Sequence, residues 1–315
     1  MSDLYAGGEP LAEVVRNEFV ESRHHGSVVV LGADGEVAAW AGDVLGAVFP
    51  RSSSKPLQAV GMLRAGLDVD GPDLALVAAS HRGQAVHVTA VQALLDRTGL
   101  TVDDLRCPPD FPLSEDARDA VVRAGHGRER VFMNCSGKHA GMLRTARANG
   151  WPLETYLDPA HPLQERLTAT VAELAGEPIR GTGVDGCGAP VLAFSLRGLA
   201  GSFLRLVHAP EGTQERAVAD AMRRYPVLVS GDDAGDDDTR LMRAVPGLLL
   251  KGGAEGVAAA AVPGVGAVAL KIDDGGMRAR LPVLASAFAR LGVNLPGRVP
   301  VLGGGREVGV VRSVW

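Results

Sequence analysis

The stretch SVVVLGADGEVAAWAG, residues 27–42, sets the reading of the fold. An apolar run at 28–31 meets Ala33-Asp34-Gly35 and then a second apolar run at 37–40. Asp-Gly supplies the positive dihedrals of a tight turn, so the stretch predicts a β-hairpin near the start of the chain. At the other end, residues 248–251, 257–261, 265–271 and 307–314 read as strands, with a helix at 282–291 before the last of them. Between these lie helical patterns. One begins at Pro56, with apolar Leu57, Val60 and Leu63, and ends near Gly66; others fall at 84–98, 117–124, 137–148, 163–175 and 213–225. Residues 131–133 read as a short strand leading into one of these helices. Strands at both ends around a mostly helical middle, roughly 84–245, predict an α+β fold. Its single, mainly antiparallel sheet is built from both termini and flanked by helices. No linker and no repeat interrupts the chain, so one domain over residues 1–315 is expected.

Composition narrows the function. The chain has 315 residues, 46% of them hydrophobic and 22% charged, and a net charge of −5, without a run of Lys and Arg. Nucleic acid and anionic membranes reward clustered positive charge and are not expected as partners. The most apolar stretch, 256–270, is broken by Pro263 and several glycines, and Asp3 and Glu9 precede any apolar run. The expectation is a cytoplasmic protein with no membrane span. Three cysteines, Cys107, Cys135 and Cys187, are too few for a disulfide framework and are metal, redox or buried thiols.

Of 32 basic residues only four are lysines: Lys55, Lys138, Lys251 and Lys271. An amine can lose its proton near neutrality, whereas guanidinium stays charged, so each lysine is a candidate base or ligand. Ser52 and Lys55 form Ser-x-x-Lys at a helix start, where i and i+3 share a face and the amine can take the hydroxyl proton. Pro56 disfavours the α conformation at Lys55 and works against that juxtaposition. Lys251-Gly252-Gly253 ends a predicted strand, and a Ser-x-x-Lys helix followed by a Lys-x-Gly strand is the chain order of serine acylases of the β-lactamase class. Ser80, in ASHRG, lies in a loop just before a helix and reads equally as an N-cap. Cys135, Lys138 and His139 open the helix after NCSGKHAG, and Asp185 and Cys187 lie in the Gly-rich turn VDGCG. By residue type alone the two cysteines read as buried thiols or, with His139, as zinc ligands in no recognised spacing. Residues 181–186 match G-x-G-x-x-G but lack the preceding strand of a dinucleotide site. The acids Asp232, Asp233, Asp236, Asp237 and Asp238 lack EF-hand spacing and read as a solvated or substrate-covering loop.

Together FPRSSSKP, ASHRG, NCSGKHAGML, VDGCGAP, KGGAEG and ALKIDDG resemble the asparaginase II family. The resemblance implies a fold like that of glutaminases and serine β-lactamases, and hydrolysis of L-asparagine to L-aspartate and ammonia. It implies two dyads in one site, Ser52 with Lys55 and Ser80 with Lys251. Arg51, His139 and Asp185 would line the substrate pocket, and zinc would sit on Cys135, Lys138 and Cys187, which reverses the bland reading of the thiols. A homodimer is also implied. Where some relatives carry a cysteine before the threonine matched by Thr239, this chain has Asp238. Three consecutive serines leave the nucleophile open. A glutaminase, a β-lactam-type acylase, a pyridoxal enzyme and a non-catalytic amino-acid-binding protein are the alternative readings.

Overall fold

The structure, a computed structural model, describes residues 4–233 and 236–315. Its main sheet is assembled around one long strand. Strand β1 (Glu9–Arg16) runs antiparallel to β2 (Phe19–Gly32), and β3 (Val37–Ala41) completes the expected hairpin with β2. A two-residue strand β4 (Ala47–Val48) joins β5 (Gly181–Val184) and β6 (Pro190–Ser195) in a separate small sheet. The C-terminal strands are β7 (Leu249–Gly252), β8 (Val257–Val262), β9 (Gly266–Ile272), β10 (Val299–Gly303) and β11 (Arg306–Ser313). The order across the main sheet is β10-β11-β1-β2-β9-β8-β7, with every pairing antiparallel. Both chain ends thus share one sheet, as predicted, and the register Val28–Leu270, Val29–Ala269, Val30–Val268 joins them.

Val28, Val29 and Val30 are all fully buried, so both faces of the sheet are covered. Helix α7 (Leu196–His208) lies against β8 and β9 on one face; α11 (Arg280–Ala289) packs on β2 and β9. The remaining helices are α1 (Lys55–Arg64), α2 (Gly71–Val77), α3 (Ala85–Asp96), α4 (Glu115–Arg123), α5 (Ser136–Ala148), α6 (Pro162–Ala175), α8 (Gln214–Arg224), α9 (Pro226–Val229) and α10 (Asp237–Ala244). Helix α1 is central: its residues 55–62 are all buried. Among the described residues no helix is long and apolar enough to cross a membrane.

Two local expectations fail. Residues 131–133 are not a strand, because Arg130–Phe132 form a 3-10 turn that swings the chain directly into α5. Lys55 has φ −58 and ψ −38, helical despite Pro56. Proline at the first turn of α1 removes an N–H that had no intrahelical acceptor, and the upstream 3-10 turn Arg51–Ser54 hands Lys55 over already in helical conformation.

Candidate active site

The 3-10 turn Arg51–Ser54 carries the first hydroxyls and is pressed against the end of β7. Ser53 Oγ donates to the Lys251 carbonyl at 2.9 Å. A Cβ on Gly253 would lie 2.6 Å from Pro50 O and 3.0 Å from Ser53 Oγ, so only glycine lets the strand end approach this closely. Arg51 itself has φ +52, a left-handed conformation costly for a side chain with a Cβ and typical of functional turns. Its Nε donates to Asp185 Oδ1 at 2.7 Å, which ties the turn to the loop between β5 and β6.

A cavity of about 270 Å³ opens over this junction, lined by Ser52, Ser80, Asn134, Asp238, Lys251 and Arg280 among others. The two candidate serines therefore face one space. Three of the four lysines, Lys55, Lys138 and Lys251, are buried, whereas among the described residues no arginine is. A buried ammonium loses several kcal/mol of hydration, so their placement requires specific partners.

Lys55 Nζ lies 2.8 Å from Ser80 Oγ, 2.5 Å from Ala79 O and 3.0 Å from Cys135 Sγ. The amine donates to the Ala79 carbonyl and to Ser80 Oγ. The hydrogen bond thus joins Lys55 to Ser80 rather than to Ser52, whose Oγ has no hydrogen-bond partner among the described residues. Lys251 Nζ donates to Gly252 O at 2.9 Å and stands 3.6 Å from Asp238. Burial pulls its pKa from 10.5 to about 8; Asp238 opposes that pull, and the charges of Lys55 and Arg280 add to it.

Asp238, read from the sequence as part of a solvated or substrate-covering loop, is buried against Lys251. Burial alone would raise its carboxyl, but Arg280, Lys251 and the Gly252 N–H, which donates at 2.7 Å, hold it below the usual range. The acidic segment is thus not a solvated loop throughout. Asp236 and Asp238 are buried, Asp236 caps α10 by accepting from Thr239 N, and Asp233 accepts from Arg82, Gln84 and Ser114.

On the far side of Lys55 sits the sulfur cluster. Helix α5 meets α2 so closely that a Cβ on Gly137 would lie 2.6 Å from Leu76 O, and this contact seats Cys135 and Lys138 beside the β5–β6 turn. That turn is a hairpin, with Asp185 N–H donating to Ala189 O at 2.9 Å; it carries Asp185 and Cys187 inward. Lys138 Nζ is 3.2 Å from Cys187 Sγ. The hydrogen bond from Cys135, with the Lys138 charge, holds the Cys187 thiol far below its usual range, and the same pairing, with burial, pushes Cys135 up. Burial would lower Lys138, yet the sulfurs and Asp185 keep it an ammonium.

His139 is fully buried. Its Nδ1 is 2.6 Å from the Tyr156 hydroxyl, while among the described residues Nε2 lacks a hydrogen-bond partner of acceptable geometry despite the proximity of Cys187. Among the described residues no three His, Cys, Asp or Glu side chains converge on a metal position. Cys107 stands apart: its Sγ faces Arg130 O and its pKa is pushed up to about 12 by burial. Lys271, also in a motif of the resemblance, donates to Glu255 O and Ile272 O away from the cavity.

Several solved structures are similar in outline. One is a β-lactamase from Mycobacterium bovis, 16% identical with a TM-score of 0.47, covering 85% of this chain and 95% of that one. Another is Mglu in its native form, 13% identical, TM-score 0.45, covering 86% of this chain and 65% of that one. A third is EstCE1, a hydrolase with promiscuous acyltransferase activity, 15% identical, TM-score 0.41, covering 79% and 88%. No curated protein matches the chain. A family profile extends over residues 12–311, and the class it defines is that of the amidohydrolases. The chain belongs to the L-asparaginase II family.

Proposed function

We propose that this amidohydrolase cleaves the side-chain amide of L-asparagine, giving L-aspartate and ammonia by acyl transfer through serine. The observation that carries the reading is the Lys55–Ser80 hydrogen bond at 2.8 Å inside a cavity that also holds Ser52 and Lys251. Ser52 Oγ, unengaged and facing the cavity, attacks the amide carbon. Its proton passes through Ser80 to Lys55 Nζ and then to the departing nitrogen, which leaves as ammonia. Lys251, half neutral near pH 8, serves the second stage: it takes a proton from water as that water attacks the ester, and returns it to Ser52.

The sulfur cluster supports a zinc site on Cys135, Lys138 and Cys187. Two thiols, one already ionised, surround an amine, and the orphaned His139 Nε2 borders them. Zinc would supply a fixed positive charge beside the substrate, and its binding would release the Lys138 proton. Arg51, Asp185 and His139 then fix the wall on that side, and the homodimer implied by the family is part of the same proposal.

Ammonia release from L-asparagine by the purified protein is the test, with L-glutamine and a penicillin as comparison substrates. Ser52→Ala and Lys55→Met are expected to lose at least about 10³-fold in kcat with the circular dichroism spectrum unchanged. Full turnover in either variant rejects the assignment, and preference for glutamine or the penicillin rejects the substrate.

A further inference from the structure

We propose that Arg280 recognises the α-carboxylate of the substrate and so restricts the enzyme to amides that carry a free carboxylate. The inference rests on the amidase reading above and assigns a residue outside all six motifs. Three cationic side chains line the cavity: Arg82, Lys251 and Arg280. Arg82 is committed, with Nε on Asp233 at 2.5 Å and Nη2 on Leu113 O at 3.1 Å. Lys251 spends its amine on Gly252 O and Asp238. Arg280 makes one long contact, Nη2 to Asp238 Oδ1 at 3.4 Å, and its other guanidinium N–H groups have no partner among the described residues. Its side chain is only 15% exposed. A poorly satisfied, largely buried guanidinium on a cavity wall is a fork that a carboxylate fits in bidentate fashion.

The guanidinium lies directly against the strand end. A Cβ at Gly252 would lie 2.1 Å from Arg280 Nη1, so the fork occupies space that only glycine leaves free beside Lys251. This couples the Lys-Gly-Gly strand to α11, whose first residue is Arg280. Of the carboxylates nearby, Asp236 accepts from Ser230 and Thr239 and Asp237 pairs with Arg240, while Asp238, shared with Lys251, engages the fork only through its long 3.4 Å contact. Arg51, the arginine of the first motif, is occupied by Asp185 at 2.7 Å.

The test compares L-asparagine with 3-aminopropanamide, which has the same side-chain amide and amine but no carboxylate, and measures L-aspartate binding by calorimetry. In Arg280→Gln the ratio of kcat/KM values, asparagine over 3-aminopropanamide, is expected to fall by about 30-fold or more, chiefly through KM, and L-aspartate to bind correspondingly more weakly. Arg280→Lys keeps charge without the fork and falls between. Gly252→Ala keeps arginine but displaces it, lowers the same ratio, and serves if Arg280→Gln does not fold. A parallel loss on both substrates with the ratio kept, or L-aspartate affinity unchanged, overturns the proposal. If the wild type releases no ammonia yet binds L-aspartate in an Arg280-dependent way, the amidase reading falls and this one stands. Neither turnover nor binding in the wild type rejects both.

Discussion

Asp238→Asn isolates the electrostatics that set the Lys251 amine. Asparagine keeps the shape and can still accept from the Gly252 N–H, now 2.7 Å from Oδ2, so the strand end retains its anchor. What is lost is a negative charge 3.6 Å from Nζ. At an effective dielectric near 20 that charge is worth about 4 kcal/mol to the ammonium, and even a third of it moves the amine by about one pH unit. The wild-type amine sits at about 8 because burial outweighs Asp238. Removing Asp238 leaves burial and the charges of Lys55 and Arg280 opposed by Asp236 alone, so the pKa falls to about 7 or below. With a neutral base required, the wild type at pH 6.5 runs at about 3% of its high-pH plateau, and the variant at about 25% or more of its own. The assay is the single-turnover rate of acyl-enzyme hydrolysis between about pH 5.5 and 10, because kcat/KM reports only the steps up to ammonia release. An active variant whose profile still breaks near 8 refutes Lys251 as the base.

Other outcomes follow from single contacts. Gly253→Ala drives a methyl against Pro50 O and is expected to cost about 1–3 kcal/mol in denaturant unfolding, with turnover falling further than stability alone accounts for. Cys187→Ser removes the ionised thiol, so elemental analysis is expected to find about one zinc per wild-type chain and none in the variant; equal metal in both discards the proposed ligand set. Between pH 8 and 10.5 the unfolded chain holds a proton on Lys251 that the folded chain has released, so folded-state stability rises with pH across that window. The rise is about 3 kcal/mol relative to Lys251→Met, measured by urea unfolding at several pH values; a flat difference contradicts the depressed amine.

Periodicity was enough for β2, β3, β7, β8, β9 and β11 and for most helices, but not for β1 or β10. It failed where glycine and proline mask the pattern. Helix α7 contains Gly198 and Gly201 and was not anticipated, although it fills one face of the sheet. Strand β1 begins EPLAE, and β5 is GTGV, whose glycines match a phosphate loop in sequence but form a hairpin with β6. In the site, scarcity of lysine pointed to Lys55, Lys138 and Lys251, and all three are buried. The pairing was not legible: spacing along a helix favoured Ser52 with Lys55, but the long lysine chain reaches across to Ser80 from a different segment. Asp238 and Arg280 could not be found from motif spacing, since their significance lies in facing one strand end from α10 and α11.

The Ser53–Lys251 hydrogen bond closes a loop of 198 residues, and β2 finds its β9 partner only from the last part of the chain. At translation speeds of about 5–20 residues per second, the hydroxyl turn waits roughly 10–40 s for the strand that completes it. During synthesis the nascent polypeptide therefore carries the Arg51–Ser54 turn with no Lys251 strand opposite it, while Lys55 and Ser80 are already both present. Chemical competence arrives late and all at once, and until then the exposed edge of β2 is the portion of the newborn chain most in need of chaperone cover.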